Sequence, residues 1–123
     1  MGCVVIRPYH RGAWGSEGIY SFSHCIQDAI VLARWAREDM AKAYGIDREN
    51  IFLAGHSNGG NTVLNASRYL PFLKGTVAFC PYDHQAGLEH IPHAQLKEMF
   101  AQVSSVLHIG RFEDLWQDSI QHA

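Results

Sequence analysis

Ser57 lies in Gly55-His56-Ser57-Asn58-Gly59, at the centre of the stretch IFLAGHSNGGN, residues 51–61. A serine hydroxyl is a poor nucleophile until a base takes its proton, so a chain that uses one must hold it where an imidazole can reach it. A tight turn from a strand into a helix does this, and glycines on both sides leave room for a strained backbone. The same turn would place the backbone N–H of Asn58 at the start of a helix, where it can stabilise a developing oxyanion. At ordinary glycine and serine frequencies the bare pattern arises by chance in roughly one chain in twenty or thirty of this length. Its context carries the weight: an apolar run precedes it and a helical pattern follows.

The elements that would position Ser57 alternate between short apolar runs and longer helical patterns. CVVIRP (Cys3 to Pro8) is a continuous β-branched run of the kind buried on both faces of a parallel sheet. A turn-rich segment, HRGAWGSEG, follows it. From about Ser23 the residues Ile26, Ile30, Ala33, Met40 and Tyr44 fall on one stripe, predicting a helix that Ser23 could cap and Gly45 could close. NIFLAG is the second predicted strand, with a helix from about Asn58 to Tyr69 after it. GTVAFC (Gly75 to Cys80) is the third strand, HAQLKEMFAQV a helix, and SVLHIG (Ser105 to Gly110) the fourth strand. A last helix starts near Leu115. Strands joined by helical crossovers imply βαβ units, hence an α/β fold with a mainly parallel sheet of about four strands.

Ligands of such sheets bind beyond the C-terminal ends of the strands. That rule gathers His10, Arg11, Ser57, Asp83, His84, Glu113 and Asp114 at one edge. A different chemistry is offered by YDHQAGLEHIPH, where Asp83, His84, Glu89, His90 and His93 are all potential ligands for zinc or a related ion. Its spacing matches no strong metal signature, and Pro92 separates the last two histidines, so the expectation is a polar loop without a metal. Trp14, Tyr20 and Trp116 could line an apolar pocket.

The chain of 123 residues is 47% hydrophobic and 18% charged, enough for one domain, residues 1–123, with its own core. A formal charge of -2, with no run of Lys or Arg, argues against nucleic acid and against an anionic membrane surface as partners. No apolar stretch is long enough to span a bilayer and the N-terminus has no secretory-signal pattern, which makes the cytoplasm the default compartment. Cys3, Cys25 and Cys80 are odd in number and scattered, so they are expected to be buried thiols rather than disulfides.

With these residues in view, the chain resembles the α/β-hydrolase superfamily. VVIRPYHRGAWGSEG, DRENIFLAGHSNGG and GTVAFCPYD are most similar to its prolyl-oligopeptidase-like and dienelactone-hydrolase-like branches. The resemblance implies that the four strands are the fourth to seventh of that fold. It also implies serine-hydrolase cleavage of a small ester, lactone or peptide substrate through an acyl-enzyme on Ser57, with no cofactor. Dienelactone hydrolases proper use cysteine, and Ser57 stands in its place here. The family's acid follows the seventh strand, where GRFEDLW offers Glu113 and Asp114; Asp114 is favoured, and Asp83 after the sixth strand is held in reserve.

The family's histidine follows an eighth strand, and no residue here occupies that position. His122 is too close to Asp114 and His56 should point away from the nucleophile; His10 and His84 lie on the correct edge of the sheet and could in principle substitute, but the histidine is expected from outside this chain. The family's third strand and its oxyanion loop would precede Met1. The chain is therefore expected to be a partial hydrolase core, an excerpt of a protein about twice as long. The missing third strand would leave a slot beside NIFLAG or force CVVIRP to pair with it, and exposed apolar strand edges would favour association with a second copy. A folded module with an inert Ser57 is the other reading.

Overall fold

The computed structural model describes residues 2–123. Its longest element is a helical run in which α1 (Phe22–Trp35) passes through a π-turn (Ala36–Met40) into α2 (Ala41–Tyr44). Ser21, not Ser23, caps α1, accepting a hydrogen bond on its side-chain oxygen from the His24 N–H at 3.1 Å. At the far end Gly45 takes a left-handed conformation, φ 66°, and its N–H donates to the Ala41 carbonyl. Of the predicted stripe, Ile26 and Ala33 are buried but Tyr44 is exposed. The π-turn explains this: one added residue shifts everything after it by about 100° around the axis, so a 3.6-residue period started at Ile26 loses phase.

The predicted strand–helix–strand unit forms as β1 (Phe52–His56), α3 (Asn58–Ser67) and β2 (Gly75–Phe79). The two strands are parallel, in a register running from Phe52 opposite Gly75 to His56 opposite Phe79. Helix α3 packs on both strands and α1 packs on α3. The resulting core holds Ile26, Ala29, Ala33, Ala66 and Leu70, with Leu53, Phe72 and Leu73 against it. Alternation in the strands sends Leu53 inward and leaves Phe52, Val77 and Phe79 exposed on the opposite face.

The sheet is parallel as expected but has two strands, not about four. Residues 3–8 join no ladder, and Val4 and Val5 are exposed, because no neighbouring strand among the described residues takes up their backbone groups. Of the two arrangements considered for CVVIRP, direct pairing with β1 is not adopted. The segment 105–110 fails as a strand for a different reason: a loop claims its backbone. Trp14 N–H donates to Val106 O at 2.8 Å, His108 N–H to Gly12 O and Tyr20 N–H to His108 O, each at 2.7 Å, around an isolated antiparallel bridge between Ala13 and Leu107. The cysteine expectation holds only for Cys25. Cys3 lies in the uncovered run and Cys80 just beyond β2, and both are exposed.

Three more helices, α4 (His84–His90), α5 (His93–Gln102) and α6 (Phe112–Gln121), follow β2. They gather a second, aromatic cluster in which Phe22 of α1 meets His84 and Phe100, and Phe112 meets Phe100 and Trp116. His84 is 1% exposed, with Nδ1 bonded to Ser119 Oγ at 2.8 Å and Nε2 buried without a partner. Next to it Ser23 ties α1 to α6. Its N–H donates to Asp118 Oδ2 at 3.0 Å, its hydroxyl bonds Asp118 Oδ1, and His122 Nε2 lies 2.9 Å from the same hydroxyl.

Burial, and secondarily the nearby His122, pushes the pKa of His84 down to about 4. An unfolded imidazole takes its proton near pH 6.5, so between that value and about 4 the unfolded state binds more protons and stability falls as the pH falls. Urea titrations across this window should show a loss on the order of 3 kcal/mol that His84→Asn largely abolishes; parallel profiles for the two proteins would refute the assignment. Ser23→Ala removes a hydroxyl bonded to a nearly buried carboxylate and should cost about 2 kcal/mol at neutral pH, read as a lower urea midpoint.

Candidate active site

Between β1 and α3 there is no loop. Ser57 alone makes the turn, at φ 55° and ψ -121°, a conformation L-residues rarely adopt. Three backbone hydrogen bonds hold it there. Its N–H donates to Phe79 O at 3.0 Å at the end of β2, and its carbonyl accepts from Asn61 N–H at 3.1 Å and Tyr82 N–H at 2.9 Å. The side chain is exposed. Asn58 follows as the first residue of α3, and a backbone N–H in that position has no acceptor within its own helix.

The glycines divide the work unequally. A Cβ on Gly55 would overlap the Gly59 carbonyl group and crowd the Gly60 nitrogen, so the end of β1 and the first turn of α3 can meet only without it. A Cβ on Gly60 would lie 2.9 Å from Pro81 Cα, where the chain leaves β2. Gly59, the last residue of the motif, faces open space. The sequence pattern marks Gly55 and Gly59; sterically the pair that matters is Gly55 and Gly60.

Asn58 is anchored from a distant segment. Its Nδ2 donates to Tyr20 Oη at 2.9 Å, while its Oδ1 is buried without a partner. Burial, then the adjacent Cys25 thiol, raises the pKa of Tyr20 well above its ordinary value, and burial likewise pushes the Cys25 thiol up to about 12. Both groups therefore stay protonated at neutral pH. Arg11 makes a second long-range anchor, donating from its backbone N–H and its Nε to Asp28 of α1 at 3.0 and 2.7 Å. Burial opposes ionisation of Asp28, but the hydrogen bonds from Arg11 outweigh it and hold the carboxyl below its usual range. Neither contact leaves a trace in the sequence pattern, because each joins segments far apart along the chain.

The structure brings Ser57 and Asn58 together and holds Asp114 in a separate setting. Asp114 is exposed in the first turn of α6, where Arg111 Nη2 and Nε reach its two oxygens at 2.6 and 3.0 Å. Those bonds keep its carboxyl below the ordinary carboxylate range. Glu113 instead pairs with Lys97 at 3.1 Å, and Asp83 caps α4 by accepting from Ala86 N–H. Of the histidines considered as bases, His10 has its Nδ1 buried without a hydrogen-bond partner, 3.6 Å from Asp28, and His84 is sealed between Phe22 and Tyr82. His56 is exposed at the end of β1. The aromatic trio is dispersed too, with Trp14 exposed, Tyr20 at Asn58, and Trp116 edge to face with His93.

One serine, one histidine and one aspartate do converge, at Ser23, His122 and Asp118. Their connectivity is wrong for nucleophilic catalysis. In a working triad the carboxylate orients the imidazole through the nitrogen remote from the serine. Here Asp118 binds the serine directly and lies 3.8 Å from the same Nε2 that faces the hydroxyl. The metal reading fails on geometry as well. Asp83 caps α4, His84 is buried, Glu89 accepts from Gln85, and among the described residues no three His, Cys, Asp or Glu side chains come close enough to hold an ion.

The steric difference between the glycines is directly measurable. Gly55→Ala should lower stability by roughly 3 kcal/mol in urea unfolding, because backbone must move. Gly59→Ala should instead be neutral or stabilising by up to about 1 kcal/mol, since alanine is the better helix former and nothing obstructs its methyl group. Equal losses at the two positions would contradict the division of roles.

A family model described as alpha/beta hydrolase fold matches residues 2–123. No curated protein and no solved structure matches the chain. The match spans every described element, from the uncovered apolar run to α6, and on it the chain belongs to the alpha/beta hydrolase fold family.

Proposed function

We propose that the protein is a serine hydrolase that cleaves an ester, lactone or peptide bond of a small substrate through an acyl-enzyme on Ser57. The observation that carries this reading is the placement of Ser57: exposed, at φ 55°, between the end of a parallel strand and the first turn of a helix. Ser57 Oγ attacks the substrate carbonyl as a base removes its proton. The Asn58 N–H, at the positive end of α3, supplies one donor to the oxyanion that forms. Collapse of the tetrahedral intermediate expels the leaving group, and water then releases the acyl group by the same steps in reverse.

Asp114 is the proposed orienting acid. A carboxylate has about four lone-pair directions, so the Arg111 pair leaves Asp114 able to accept an imidazole N–H as well. The base is proposed to be a histidine supplied from outside the described residues, since His84 is bonded to Ser119, His122 to Ser23, and His10 lies beside Asp28. A second N–H for the oxyanion is likewise assigned to a segment outside them.

A fluorophosphonate probe and a p-nitrophenyl ester assay test the reading. Labelling and turnover should both be lost in Ser57→Ala, with the remaining rate down by at least about a thousandfold. Labelling that survives Ser57→Ala, or a folded protein that joins these 123 residues to the histidine-bearing segment and is neither labelled nor active, would refute it and favour a hydrolase fold used as a non-catalytic module.

A further inference from the structure

The side chain of Asn58 is held more firmly than its place beside an exposed serine requires. Its Nδ2 donates to Tyr20 Oη at 2.9 Å, and its Oδ1 is buried with no partner. A buried carbonyl left unsatisfied is an energetic penalty, tolerated where the direction of the group matters more than its full pairing. Turning the amide over would keep the same pair, the tyrosine hydroxyl then donating to Oδ1 and the penalty passing to the nitrogen.

Tyr20 is itself fixed from two sides. Its backbone N–H donates to His108 O at 2.7 Å, and His108 in turn is bound to Gly12 O and, through Nδ1, to Gly18 O. Its ring meets Phe22 of α1 edge to face, the centroids 6.2 Å apart. The hydroxyl that meets Asn58 is thus set by two parts of the chain, the 12–20 loop with its 105–110 partner and helix α1, neither of which belongs to the β1–α3 turn.

We propose that Tyr20 is a positioning residue for the nucleophile turn: through Asn58 Nδ2 it fixes the first residue of α3, and so the direction of the N–H that faces the developing oxyanion. This rests on the serine-hydrolase reading above. An oxyanion donor works only when it points at the place the charge will occupy, and it contributes most when it need not reorganise. Asn58 follows a residue in a strained conformation, where local sequence supplies little rigidity. Tyr20 supplies it from outside. Removing the hydroxyl while keeping the ring leaves the amide of Asn58 with neither end paired and free to rotate, which slackens the turn without touching Ser57.

The test compares Tyr20→Phe with Tyr44→Phe, a change at an exposed tyrosine at the far end of α2, in a protein that carries these 123 residues together with the segment supplying the histidine. Two readouts are needed. The first is the kinetics of fluorophosphonate labelling at Ser57: Tyr20→Phe should lower the limiting rate about tenfold while leaving the half-saturating probe concentration unchanged, and Asn58→Ala added to it should cause no further loss. The second is hydrogen exchange followed by NMR. The Asn58 side-chain amide and the Asn61 N–H, which bonds Ser57 O, should exchange several-fold faster in Tyr20→Phe and at the wild-type rate in Tyr44→Phe. Wild-type labelling kinetics in Tyr20→Phe, or unchanged exchange at Asn58, would overturn the proposal. An unlabelled wild type would overturn the hydrolase reading and the catalytic meaning of the contact together, while the exchange measurement would still decide whether Tyr20 holds Asn58.

Discussion

The left-handed turn at Ser57 is the constraint from which the central architecture follows. A strand that enters a helix with no intervening loop brings its last residues into the first turn of that helix, and only a missing side chain at Gly55 permits the approach. The strain is offset by the end of β2, since Phe79 O and Tyr82 N–H bind Ser57 on either side of its peptide units. Pairing of β1 with β2 and the fit of Pro81 against Gly60 are therefore conditions of the turn as much as features of the sheet. Helix α3, leaving the turn in a fixed direction, then lies over both strands and offers Ala66 to α1.

Charge is distributed around this frame by pairing. Arg11 with Asp28 ties a loop to α1, and Arg111 with Asp114 closes the first turn of α6. The exposed pair stabilises the fold little, because solvent competes for both partners. It does hold the Asp114 carboxyl below its ordinary range. The contrast with Ser23, Asp118 and His122 is instructive: residue types and short distances are all present there, yet the carboxylate occupies the serine instead of the far side of the imidazole. Connectivity between atoms separates a helix clasp from a catalytic relay.

How much of this was legible in the sequence depends on how local the cause was. The β1–turn–α3 unit and β2 were readable because strand periodicity, glycine spacing and helix onset are all short-range signals, and each agreed with the others. CVVIRP misled because β-branched residues favour a strand only when neighbours accept their hydrogen bonds, and that condition is not written in the run itself. Ser23 misled as a cap because Ser21 offers the same chemistry two residues earlier. The phase slip after Ala36 could not be seen because a π-turn has no compositional signature in AREDM. Tyr20 and Asn58, like Ser23 and Asp118, are joined only by the tertiary fold.

The Ser23–Asp118 contact closes a separation of 95 residues. Loop closure of that length has to be achieved before any of its hydrogen bonds can form, whereas β1, α3 and β2 assemble from segments adjacent in the chain. The docking of α6 is accordingly a late event in folding and an early one in unfolding. A protease would find the aromatic cluster around Phe112 and Leu115 opened by transient release of the last helix while the turn at Ser57 was still intact.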